Sequence, residues 1–112
     1  MLRNPFGQKN LPEVSVAETI AATNAGTHQL VDIREQDERD AFRIAGTAFI
    51  PLGELAQRAG ELEADRPVIF YCRSGRRSLY AVEILAAAGR ADTVSMAGGI
   101  IAWHEAGYPI EQ

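Results

Sequence analysis

The residues best suited to chemistry lie in one short segment, Cys72-Arg-Ser-Gly-Arg-Arg-Ser78, which holds the only cysteine of the chain. The segment contains three arginines and no acidic residue, although the whole chain has a formal net charge of −4. A cysteine thiolate is a nucleophile, and clustered guanidinium groups attract small anions. This combination predicts a thiol that attacks an anionic substrate and forms a covalent intermediate with it.

The flanking sequence places this segment between a strand and a helix. The run Val68-Ile-Phe-Tyr71 is continuously apolar, which is typical of a strand buried on both faces of a parallel sheet. Ser78 is predicted to be the N-cap of the next helix, which Gly89 would end. The unpaired N–H groups at the start of that helix would face the loop, so the Cys72 thiol should be more acidic than an ordinary thiol.

An alternative interpretation makes Cys72 a small buried apolar residue at a strand end. Three arginines and a glycine within the next five positions argue against a buried apolar environment. Gly75 also lets the backbone curl tightly around the sulfur. We therefore interpret Cys72 as a reactive thiol.

Apolar runs alternate with segments of helical periodicity along the chain. The runs that predict strands lie near residues 12–14, 29–33, 48–50, 68–71 and 92–95. Such alternation is typical of a parallel sheet covered by helices. We predict an α/β fold with a central, mostly parallel five-stranded sheet and helices on both faces. Residues 1–10 are predicted to be a flexible leader and residues 11–112 a single domain.

Composition excludes several classes of protein. The 112 residues are 46% hydrophobic and 23% charged, as expected of one globular domain. A pI near 5.1 argues against binding to nucleic acid or to anionic membranes. The sequence has no apolar stretch of the roughly 20 residues that span a bilayer, and its N-terminal residues lack the apolar segment of a signal peptide. The sequence therefore predicts a cytoplasmic protein.

Neither a disulfide within the chain nor a metal site is expected. Cys72 has no second cysteine to pair with, and His28 and His104 lie too far apart in sequence to match a metal-ligand spacing.

Four segments resemble the signatures of single-domain rhodaneses, the thiosulfate-type sulfurtransferases, and they occur in the family's order. Together they cover about residues 11–110. The chain departs from the family at Arg43, where members often have histidine. The segments are Leu30-Val-Asp-Ile-Arg-Glu35, Arg43-Ile-Ala-Gly-Thr-Ala-Phe-Ile-Pro51, Tyr71-Cys-Arg-Ser-Gly-Arg-Arg-Ser78 and VSMAGGIIAWHEAGYP at 94–109.

The resemblance implies a rhodanese-like fold and a persulfide mechanism at Cys72 without metal or organic cofactor. A sulfane sulfur would pass from thiosulfate or a persulfide donor to a thiol, a protein or cyanide. Asp32 and Arg34 are expected to support the site structurally. For Arg77 two roles are open: it contacts the substrate or, the role we favour, it pairs with Asp32 and braces the loop. The predicted substrate-binding residues are Arg73, Ser74, Gly75, Arg76, Arg77 and Ser78.

Two other functions remain open on this sequence. One is a relay that passes a persulfide from protein to protein. The other is a phosphatase or arsenate reductase on the same scaffold. Relatives with that chemistry have a longer loop with arginine six positions after the cysteine, where this chain has Ser78; its arginine, Arg77, comes at five. The shorter loop favours sulfur transfer.

Overall fold

The strand that leads to Cys72 lies at the centre of the sheet in the computed structural model, which describes residues 11–112. The predicted leader, residues 1–10, lies outside the described residues. The five strands are all parallel and are ordered β1-β5-β4-β2-β3. The elements are β1 Glu13–Val14, α1 Val16–Asn24, β2 Gln29–Asp32, α2 Gln36–Ala41, β3 Ala48–Phe49, α3 Leu55–Arg58, β4 Val68–Tyr71, α4 Arg76–Ala87, β5 Thr93–Met96 and α5 Gly99–Glu105.

The structure confirms the predicted α/β fold, and the sheet is entirely rather than mostly parallel. Every residue of β2 and β4 is buried, as expected of inner strands covered on both faces. The edge strands β1 and β3 have only two residues each. Short edges leave few unpaired backbone groups at the sides of the sheet.

Apolar side chains that alternate along the inner strands form two cores, one on each face of the sheet. Val31 and Phe70 pack in one core with Leu85 of α4. Ile69 packs in the other with Trp103 of α5. Helices on both faces therefore hold β4 in place, and the backbone that carries Cys72 is fixed from both sides.

The helix starts show where local signals were sufficient. Ser15 caps α1 as a capping box: its hydroxyl accepts from the Glu18 amide at 3.0 Å, and its own amide donates to the Glu18 carboxylate at 2.9 Å. α4 starts differently, because Gly75 is its N-cap and Ser78 lies in its first turn. The prediction that Ser78 caps α4 was wrong, since its hydroxyl is engaged with Cys72 and Ser95.

Among the described residues, none of the helices has the length and apolarity needed to cross a bilayer.

Candidate active site

Cys72 directly follows β4 and lies on the floor of the loop that connects this strand to α4. The side chain is only 1% exposed and packs against one of the two cores. The expectation that the arginines would exclude a buried environment was wrong. The arginines of the loop project outward while its backbone folds over the sulfur, so the segment is charged at its rim and closed at its floor.

Three polar groups of the loop and α4 contact the sulfur. The Gly75 amide donates to Cys72 Sγ at 3.1 Å and the Ser78 amide at 3.4 Å. The Ser78 hydroxyl lies 3.4 Å from the same sulfur. Hydrogen-bond donors aimed at one atom favour its charged form, so this arrangement can hold a thiolate.

Other loop amides remain available to a ligand. Within residues 11–112, no acceptor is bonded to the backbone N–H groups of the remaining loop positions. Together with the start of the 12-residue helix α4, they form a concentration of donors suited to an anion. These free amides belong to Arg73, Ser74, Arg76 and Arg77.

The backbone of α5 fixes the loop from behind. The Ile100 amide donates to the Cys72 carbonyl at 2.9 Å, and the Ile101 amide donates to the Arg73 carbonyl at 3.2 Å. This approach requires glycine at 99, because a Cβ there would overlap both carbonyl groups. Gly75 likewise has φ +97°, which favours glycine, and a Cβ there would lie 3.0 Å from the Gly98 amide nitrogen.

Two arginines at the rim have no carboxylate partner among the described residues. Arg73 and Arg76 are exposed and form no ion pair with any of residues 11–112. Their guanidinium groups are therefore free to bind an external anion. Every other arginine of the described chain is ion-paired: Arg34, Arg39, Arg43, Arg58, Arg66, Arg77 and Arg90.

Arg77 differs from the other two arginines of the loop. Its Nη1 and Nη2 donate to Glu38 Oε1 and Oε2 at 2.7 and 2.8 Å. These hydrogen bonds lower the pKa of Glu38 from its ordinary value of 4.5 to about 2. The predicted pairing of Arg77 with Asp32 was wrong, because its partner is Glu38.

Asp32 is unavailable to Arg77 because nearer donors saturate it. Asp32 Oδ2 accepts from Arg34 at 2.9 Å, from Arg39 at 3.1 Å and from the Tyr71 hydroxyl at 3.1 Å. Asp32 and Arg34 are 0% and 1% exposed. Burial raises the pKa of Tyr71, so its phenol remains a donor. The network reaches the loop through Tyr71, the residue before Cys72, and through Glu38, whose carbonyl accepts from Arg34 at 3.4 Å and whose carboxylate binds Arg77. Its support of the site remains a prediction.

Sequence reasoning missed three residues at or near the site. Ser95 of β5 bonds to Ser78, Glu38 of α2 bonds to Arg77, and Gly99 permits the approach of α5. Only Gly99 left a local signal, as part of a glycine pair. Arg43, the departure from the family pattern, pairs with Glu111 at 3.0 Å and joins the C-terminal residues to the domain.

An α/β domain with a cysteine loop at the end of its central parallel strand defines a class of thiol-dependent proteins. This chain belongs to the family described as the rhodanese-like domain, whose model matches residues 15–106.

Three similar proteins illustrate the range of the family. A thiosulfate sulfurtransferase of Shewanella oneidensis is 34% identical over 93 residues, covering 83% of this chain and 92% of that protein. The crystal structure of a rhodanese-related protein from Thermoplasma volcanium has a TM-score of 0.80 and 32% identity, covering 88% of this chain and 96% of that one. An HTH-type transcriptional regulator of Mycobacterium tuberculosis is 36% identical over 101 residues. That match covers 88% of this chain but only 44% of the regulator.

Proposed function

We propose that the protein is a sulfurtransferase that carries a sulfane sulfur on Cys72. The observation that supports this most directly is the pairing of two features in one loop. The sulfur on the floor accepts a hydrogen bond from the Gly75 amide at 3.1 Å, and the rim carries Arg73 and Arg76, which pair with no carboxylate of residues 11–112. A thiolate below and an anion-binding rim above suit a small anionic sulfur donor such as thiosulfate. Relatives named sulfurtransferases point to the same class of enzyme.

In the first half-reaction, the Cys72 thiolate attacks the outer sulfur of thiosulfate. A new S–S bond forms to Cys72, and the S–S bond of the donor breaks so that its electron pair leaves with sulfite. Arg73 and Arg76 attract the anionic donor, and sulfite leaves to solvent from the exposed rim. The free amides of the loop and the Ser78 amide hold the terminal sulfur of the persulfide.

In the second half-reaction, an acceptor nucleophile attacks that terminal sulfur. The S–S bond to Cys72 breaks, and its electron pair regenerates the thiolate. A thiol acceptor becomes a persulfide, and cyanide becomes thiocyanate. These steps need no cofactor, and two half-reactions through a covalent enzyme form predict ping-pong kinetics. We place the reaction in the cytoplasm, where thiols are kept reduced.

Intact mass spectrometry tests the proposal directly, because the chain has a single cysteine. Incubation with thiosulfate should add the mass of one sulfur atom, and cyanide should remove it. The matched control is Cys72→Ser, which should gain no mass. A wild-type protein that never gains sulfur from thiosulfate or from a persulfide donor would exclude the proposed chemistry.

A relay between proteins is a second candidate, favoured by the surroundings of the loop. Tyr80 on α4 is 58% exposed and lies four residues after Arg76. Ile101 on α5, whose amide donates to the Arg73 carbonyl, is 38% exposed. Exposed apolar side chains beside unpaired cations suit an acidic protein surface. Preloaded persulfide protein tests this when acidic and basic cysteine peptides compete as acceptors. Faster transfer to the acidic peptide than to the basic one favours the relay. This preference should disappear in 0.5 M salt, where the screening length is on the order of 4–5 Å.

A further inference from the structure

A second buried hydroxyl lies behind the nucleophile. Ser95 on β5 is 0% exposed, and its Oγ lies 2.6 Å from Ser78 Oγ. Ser78 is also fully buried, and its Oγ lies 3.4 Å from Cys72 Sγ. The three side chains therefore form a continuous hydrogen-bonded chain from the sulfur to β5, closed to solvent.

When Cys72 is a thiol, the chain of donors runs away from the sulfur. The S–H group donates to Ser78, the Ser78 hydroxyl donates to Ser95, and the Ser95 hydroxyl donates to the Gly75 carbonyl at 3.4 Å. Every hydroxyl proton then has an acceptor.

When Cys72 is a thiolate, the hydrogen bonds between the same groups are donated in the opposite direction, towards the sulfur. The sulfur no longer donates, so the Ser78 hydroxyl turns to donate to it. Ser95 then turns from the Gly75 carbonyl to Ser78 and replaces the donor that Ser78 has lost. The Gly75 carbonyl, at the N-cap, still accepts the first hydrogen bond of α4. Only two hydroxyl protons rotate, and no heavy atom needs to move.

We propose that Ser95 is a positioning residue for the nucleophile: it orients the Ser78 hydroxyl and supplies the hydrogen bond that lets Ser78 donate to the Cys72 thiolate. The inference rests on the proposed role of Cys72 as the nucleophile. Ser95 is buried beneath the loop, where neither the sulfur donor nor the sulfur acceptor can touch it. It therefore acts only through Ser78. The charged groups that face the loop are Arg73, Arg76 and Arg77, with Glu38 bound to Arg77, and none of them is hydrogen-bonded to Ser95 in residues 11–112.

The pH dependence of Cys72 alkylation by iodoacetamide measures this role without requiring sulfur transfer. In Ser95→Ala, Ser78 loses the donor behind it and the contact that fixes its rotamer. The alkylation rate at neutral pH should fall about three- to tenfold, with the midpoint moved to higher pH. The KM for thiosulfate should stay unchanged while kcat falls. Ser95→Thr, which keeps the hydroxyl, should restore the wild-type profile.

A second buried hydroxyl on β5, two residues before Ser95, offers a matched control. Thr93 is also on β5 and buried, but its hydroxyl has no hydrogen-bond partner among the described residues. Thr93→Val also removes one buried hydroxyl from this strand and should leave the alkylation profile unchanged. Ser95→Ala should add nothing in a Ser78→Ala background, because its effect passes through Ser78.

Three results would overturn the inference: a wild-type alkylation profile in Ser95→Ala, an equal loss in Thr93→Val, or additive losses in the double variant. Failure of the proposed function gives a different pattern. In that case the alkylation profiles would shift as expected, but no variant, nor the wild type, would gain sulfur from a donor.

Discussion

Arg77 and Glu38 form a bidentate ion pair that joins the start of α4 to α2, at N···O distances of 2.7 and 2.8 Å. The two residues lie 39 positions apart in the sequence. The pair holds the positive end of the Cys72 loop against an otherwise solvent-facing helix. The other two arginines of the loop, Arg73 and Arg76, form no ion pair within the described part of the chain.

Breaking this pair should lower thermal stability. Arg77→Ala or Glu38→Gln should each reduce Tm by about 4 °C, the shift expected for a loss of about 1 kcal/mol in a chain of 112 residues. Differential scanning calorimetry measures the change. Glu61→Gln breaks the more exposed Arg58–Glu61 pair and is the matched control, with a smaller expected loss. An equal decrease in Tm in Glu38→Gln and Glu61→Gln would mean that the Arg77–Glu38 pair stabilises the fold no more than an exposed surface pair does.

The same pair predicts a stability difference that depends on pH. The pKa of Glu38 is about 2 in the folded protein, below its ordinary value of 4.5. A lowered folded pKa contributes stability that is fully present above about pH 4.5 and is lost as the pH falls towards 2. The Tm difference between wild type and Glu38→Gln should be constant from pH 7 to 5 and shrink below pH 4.5. A difference that grows in acid would contradict the assignment.

Cys72→Ser should abolish sulfur transfer and leave the fold intact. The hydroxyl has nearly the shape of the thiol, and the Gly75 and Ser78 donors can still reach it, but it is too weakly acidic to act as the nucleophile. The thiosulfate:cyanide assay measures activity, and circular dichroism with a Tm measurement serves as the folding control. Substantial activity in a folded Cys72→Ser protein would remove this residue from the mechanism.

The unpaired arginines should act on substrate binding and not on folding. Arg73→Ala and Arg76→Ala should each raise the KM for thiosulfate about three- to tenfold with little change in Tm, because both side chains are exposed and form no ion pair with residues 11–112. Steady-state kinetics at low and high salt measures the effect. Arg58→Ala, which removes a paired arginine on α3, should leave KM unchanged. A drop in Tm without a change in KM would assign Arg73 and Arg76 to the fold.

Loop length should separate sulfur transfer from phosphate chemistry. Ser78 lies six positions after Cys72 and is buried against its sulfur, so no guanidinium occupies the place that grips a phosphate. The wild type should turn over thiosulfate much faster than an activated aryl phosphate at equal concentration. One residue inserted after Gly75 should weaken sulfur transfer. Faster turnover of the aryl phosphate by the wild type would favour a phosphatase instead.

The sequence was sufficient to predict the fold because its signals were local. Continuous apolarity from Val68 to Tyr71 marked an inner strand, and Ser15 with Glu18 marked the start of α1. The position of Cys72 at a strand end followed from the same patterns. None of these features depends on which residue is brought close from elsewhere in the chain.

The errors came from contacts between distant parts of the chain. Ser78 has the side chain of an N-cap, yet Ser95, 17 positions away, lies within hydrogen-bond distance and directs its hydroxyl inward. Charge alone could not choose between Asp32 and Glu38 as the partner of Arg77. Arg77 pairs with Glu38 because the carboxylate of the buried Asp32 is bound by Arg34 and Arg39.

The amides of Ile100 and Ile101 hold the loop by its carbonyl groups, so its shape does not depend on the side chains at the rim. Positions 73, 74 and 76 are therefore open to exchange without moving the sulfur, provided that Gly75 and Gly99 are kept. Libraries confined to these three positions should yield folded proteins that still form the persulfide but prefer different donors. On the proposed mechanism, the domain would be a scaffold for engineering, in which the fixed backbone and the buried serines support Cys72 and three replaceable side chains select the sulfur donor.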